Sequence, residues 1–200
     1  MRLWRETNLE TDPPPWALTA VDQARYENDC GAKLVQFLDH YLNGEDYSSL
    51  WTNVGAGVDV YLRDPGLQAT QVLSRPRVVL WPIAEEDQPT IAQAPTSDDD
   101  PTLVNWFVSL KTLTWEIEVL TDMGTEEPES LGTGGGLTCA DLTSSISRIW
   151  EQHFPDFAAA GLTPYPQMEK EPAREEADTR RWIATLRVKL ILAVLGEKVG

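Results

Sequence analysis

The sharpest hydrophobic pattern lies near the end of the chain. Trp182, Ala184, Leu186, Val188, Leu190, Leu192 and Val194 alternate with Arg181, Ile183, Thr185, Arg187, Lys189, Ile191 and Ala193. A period of two sends the first set to one side of a pleated strand, which predicts a long strand with that side in the core. Leu113, Trp115, Ile117 and Val119 alternate in the same way with Thr114, Glu116 and Glu118 within an apolar run from Leu103 to Thr121. That run is long enough for one bent strand or for two with a bulge near Ser109. Val58, Val60 and Leu62 predict a shorter strand that Asp64-Pro65-Gly66 stops. Arg77 to Ile83 predicts a further strand, with Pro82 marking an edge or a terminus.

Two stretches carry the helical period instead. Leu34, Val35, Leu38, Tyr41 and Leu42 share one helical face, predicting a helix from a cap at Thr19 to Leu42, weakened in the middle by Gly31 and ended by Asn43-Gly44. Thr138 to Asp141 matches a capping box and opens a helix with Leu142, Ile146, Ile149, Trp150 and His153 on one face, ending near Pro155. Residues 1–18 hold Pro13-Pro14-Pro15 with Trp4 and Trp16 and read as an extended arm. Residues 19–196 read as one α/β domain with long loops at 84–102, 122–137 and 156–179; within the last, Glu169 to Asp178 suggests a short polar helix. The predicted class is α+β: a mixed, mainly antiparallel sheet packed by two main helices.

Composition changes this picture in two ways. The 200 residues include 8 Trp, a side chain favoured in cores and interfaces. There are 32 acids against 16 Lys and Arg, a formal charge of −16, which argues against a DNA-gripping face and against an anionic membrane surface. An acidic wall still lets a duplex slide past without sticking. No run approaches a membrane span, the start resembles no export signal, and Cys30 and Cys139 form no disulfide framework. These features predict a reducing, cytoplasm-like compartment.

The charge is also segregated. Residues 85–129 hold twelve acids against Lys111, while residues 180–198 hold five bases against Glu197. Two readings stay open: contact between copies of the chain, or pairing between neighbouring strands within it. The first makes Trp4, Trp16, Glu85, Glu86, Asp87, Asp98, Asp99, Asp100, Arg181, Arg187 and Lys189 candidate subunit-interface residues.

Candidate chemistry is thin. Gly132 to Gly136 before a helix suits an anion, but no Lys-Ser/Thr follows and glutamates stand upstream. Asp98-Asp99-Asp100 lacks the spaced acids of a calcium loop, and Cys30, His40, Cys139 and His153 fit no zinc spacing. Neither histidine lies in a nucleophile motif. No catalytic residue, metal or cofactor is expected, and a carboxylate-based enzyme is the weaker alternative.

The order Val58 to Ile83, Trp115-Glu116-Ile117-Glu118-Val119, the helix to Phe154, Gly161-Leu162 and the closing strand from Arg180 to Val194 resembles the tail terminator (tail completion) proteins of tailed bacteriophages. The likeness in layout spans residues 19–195, with the 1–18 arm and the 84–102 loop as extras. It implies a structural virion protein assembled in the host cytoplasm. Such a protein forms a hexameric ring that caps the tail tube and joins it to neck proteins, with DNA at most passing through the lumen. It carries over no catalytic residue. Another head-tail connector or neck protein, or a contractile-injection subunit, is the alternative within the same class.

Overall fold

The computed structural model describes residues 14–17, 19–44, 57–63, 73, 75–93, 105–122, 135–176 and 181–199. The elements run α1 (Tyr26–Leu42), β1 (Asp59–Leu62), β2 (Arg77–Gln93), β3 (Asn105–Asp122), α2 (Gly135–His153), β4 (Leu162–Pro164), β5 (Glu169–Glu176) and β6 (Arg181–Val199). Short 3-10 turns lie at Pro15–Ala17, Gln23–Arg25 and Phe154–Ala160. The strand order is β1-β2-β3-β6-β4, with β5 also on β6. β1 is parallel to β2 and every other pair is antiparallel, so the α+β class and the mixed, mainly antiparallel sheet are as the periodicity predicts.

Both helices pack on one face of the sheet. α1 buries Cys30, Lys33, Leu34, Phe37, Leu38 and Leu42, the stripe its period requires. Its start differs from the expected Thr19 cap. Asp22 caps the preceding 3-10 turn, its Oδ1 accepting from the Ala24 N–H at 2.9 Å, because a carboxylate two residues back is a ready acceptor for a free amide. Thr19 instead accepts from Lys33 Nζ at 2.6 Å, and the same ammonium donates to the Trp16 carbonyl. Asn43 ends the helix and bonds both backbone groups of Val58, at 3.0 and 2.9 Å, fastening α1 to the start of β1.

Gly31 has a packing role beyond its cost in helix propensity. A Cβ there would stand 2.6 Å from the Trp115 ring and 2.7 Å from Leu62 Cδ1, so the absent side chain lets α1 lie close on the sheet. The core fills this space with Trp16, Phe37, Trp150 and Phe157, whose rings meet at 4.8 to 5.9 Å. From the strands it takes Val78, Leu80, Leu113, Trp115, Ile117, Val119 and the even residues from Ala184 to Leu192. A smaller cluster on the other face joins Leu73, Val79, Leu120 and Ile183.

Three further expectations need correction. α2 begins at Gly135, so Thr138 lies inside the helix instead of capping it. Glycine in a helix costs about 1 kcal/mol, which burial of Cys139, Leu142, Ile146, Ile149 and Trp150 offsets. The stretch from Glu169 is a strand, not a polar helix, because β6 supplies a partner for its backbone. Residues 84–93 are strand as well: β2 runs on past Pro82 with β3 as its partner. β3 is one continuous strand, the first of the two readings its length allows, and its pairing with β6 shifts between Trp106 and Val108. The 122–137 loop lies outside the described residues except for its two ends.

Candidate subunit interface

The three longest strands, β2, β3 and β6, have 17, 18 and 19 residues and run together past the helices. Among the described side chains, no core member of β3 precedes Leu113 and none of β2 follows Leu80. Beyond that level the helix-side face turns polar. Tyr26 at the head of α1 donates to Glu85 at 2.8 Å, and Lys111 reaches Glu85 at 2.8 Å and Asp87 at 3.0 Å. Ser109 Oγ also donates to Asp87. The Lys111 and Tyr26 bonds hold the Glu85 carboxyl below its usual range, and the Ser109 bond followed by Lys111 does the same for Asp87. The two carboxylates push the Lys111 ammonium up in turn. Glu85 and Asp87 are therefore both engaged within the chain, leaving Glu86 exposed on the opposite face with no ion pair among the described residues.

β6 shows a parallel outcome. Arg181, expected at a surface, is 2% exposed and faces Asp122 at 3.8 Å. Arg187 binds Glu116 at 3.0 Å and Glu171 at 2.9 Å, its neighbours on β3 and β5, and Glu116 chiefly raises its pKa. Intramolecular pairing of neighbouring strands thus claims Arg181 and Arg187. Lys189 is half-buried and makes no ion pair among the described residues. Trp16 is also corrected: at 6% exposure its ring is core, edge-on to Phe37 and tilted against Phe157, because the Pro15–Ala17 turn folds back over α1. Trp4, Asp98, Asp99 and Asp100 lie outside the described residues.

Periodicity did not single out two exposed apolar side chains. Ile83 is 46% exposed because a register shift between Pro82 and Ala84 leaves it unpaired, and Tyr165 is 43% exposed between β4 and β5. Pro82 inside an apolar run was the only hint of the first.

Burial shifts several groups elsewhere. Burial pushes the Cys30 thiol up to about 12 and the Cys139 thiol up to about 11. Burial also raises the pKa of Glu118, beside which Trp81 Nε1 lies at 3.4 Å. His153 stacks on Tyr41 at 4.0 Å, and Tyr41 donates to Asp156 at 2.7 Å. Among the described residues no three His, Cys, Asp or Glu side chains are grouped to hold a metal ion, and no helix is long and apolar enough to cross a membrane. No protein-family model matches the chain, and no curated protein matches it.

Proposed function

We propose that the chain is a structural virion subunit, a tail terminator that forms a homo-oligomeric ring, caps the tail tube and joins it to the neck. One observation carries this reading: β2, β3 and β6 extend past the helix-covered core, and among the described residues no strand covers the margins of the sheet there. β1 pairs with β2 only as far as Leu80, and β4 covers only Leu190 to Leu192 of that stretch of β6. A sheet margin left uncovered is a surface on which a neighbouring subunit can dock. Opposite margins on one chain suit head-to-tail contacts, which close into rings. The formal charge of −16 suits a lumen through which DNA passes without binding.

The test combines the purified chain with tail-tube protein encoded beside it. The expected outcome is a ring in native mass spectrometry and tubes that stop growing when the chain caps them. Tubes that lengthen unchanged, with no chain at their ends, overturn the reading.

A further inference from the structure

Subtracting the charges already paired leaves a short list at the two margins of the sheet. On the β2 margin are exposed Ile83 and Glu86, the latter without an ion pair among the described residues. On the β4 margin is exposed Tyr165, and one strand inward on β6 is Lys189, also without an ion pair among the described residues; the Tyr165 N–H donates to the Lys189 carbonyl at 2.9 Å. The register puts these groups at one level. Ile83 is the extra residue beside Ala84, Ala84 pairs with Thr114, and Thr114 pairs with Lys189. Glu86 is one row further out, paired with Thr112 and through it with Ile191. Because side chains alternate across a pleat, Glu86 and Lys189 share the face opposite the helices. Each margin therefore offers one apolar group and one charge, and the charges are opposite.

We infer that the β2 margin of one copy docks on the β4 margin of a second copy, Ile83 against Tyr165 and Glu86 against Lys189. This rests on the ring reading and specifies the contact that builds the ring. The join is made by side chains, not by an added strand. The Arg63 N–H donates to the Leu80 carbonyl at 3.0 Å, so alternate β2 residues turn their backbone groups outward, and the next of these is Pro82, which has no N–H to offer. Tyr165 turns its N–H inward to Lys189, so Pro164 faces outward on β4 and is likewise without a donor. The prolines protect both margins from indiscriminate strand pairing and leave recognition to the side chains.

The test uses cysteines in the full chain. Ile83 and Tyr165 of one molecule stand three strand spacings apart, about 14 Å across the sheet, whereas a disulfide needs Cβ atoms within about 4.5 Å. Any cross-link between them therefore joins two copies. Ile83→Cys and Tyr165→Cys variants, mixed and mildly oxidised, should give a covalent dimer, each variant alone should give none, and the double variant should give a ladder of oligomers. Glu86→Lys and Lys189→Glu should each abolish assembly, and their combination should restore it. Both positions lie off the core, and far-UV circular dichroism confirms folding. An Ile83→Cys variant that cross-links to itself, or a double variant that gives no ladder, overturns the contact. A ring in native mass spectrometry without the cross-link sinks this contact alone. No association at all sinks the ring reading with it.

Discussion

Single residues in this protein act through what they exclude or leave unbonded. Gly31 excludes a methyl from the space under α1. Gly31→Ala gains about 0.5–1 kcal/mol in helix propensity, but it forces atoms against Trp115 and Leu62 at 2.6 and 2.7 Å. Overpacking of a rigid ring costs about 1–3 kcal/mol, so packing wins. A lower urea midpoint is expected, and an unchanged or higher one refutes the close approach. Glu118 sits where burial raises its carboxyl pKa. A native acid with a raised pKa holds its proton above the pH at which the unfolded chain, near the ordinary value of ~4.3, has lost it. Glu118 therefore lowers stability as pH rises through that window. Glu118→Gln removes the penalty and keeps an acceptor for Trp81. Urea melts should show the variant more stable at pH 7, with the gain shrinking as pH falls toward the ordinary carboxylate range. A gain independent of pH contradicts the cause assigned to it.

At the scale of elements, the decisive links tie segments distant in sequence. Asn43 closes α1 and completes the backbone pairing of Val58 at the mouth of β1. Asn43→Ala leaves two backbone groups without their partner, at about 1–3 kcal/mol each if they stay dry. Hydrogen exchange should quicken first across β1 and the last turn of α1; uniform quickening across the sheet would show that the link is not local. The β4–β5 margin illustrates the reverse case, since β5 has no apolar period and is held by the β6 backbone and by the Glu171–Arg187 pair. Reversal of Arg187 would place a carboxylate between Glu116 and Glu171, so any loss of assembly would follow from a disturbed sheet. Lys189 is the cleaner probe.

For the whole molecule, part of the charge segregation is resolved inside the chain. Lys111 answers two acids of β2, and Arg181 and Arg187 answer acids on β3 and β5. Glu86 and Lys189 keep opposite charges without an ion pair among the described residues, so assembly would draw on their complementarity more than on net charge. Cys30 and Cys139 are fully buried with raised pKa values. Both thiols should resist an aromatic disulfide reagent at pH 8 until the chain unfolds, when two per molecule react. Rapid native labelling would expose an opening that the packing does not show.

Local periodicity was enough to determine the α+β class, both helices and the core sides of β3 and β6. Alternation and helical spacing are properties of a segment itself, and each face must be buried whatever its partner. Several features belonged to the tertiary structure alone. β2 continues through Glu85, Glu86 and Asp87 because β3 lies alongside, a fact absent from an acidic stretch read by itself. Trp16 is core because Lys33 and Phe157 receive the arm, and the sequence offered only a proline-rich start. The candidate interface was legible as opposite charge but not as particular residues. Whether Arg187 or Lys189 is the available cation depends on which strands are neighbours, and strand neighbours are chosen by long-range backbone pairing that leaves no local period.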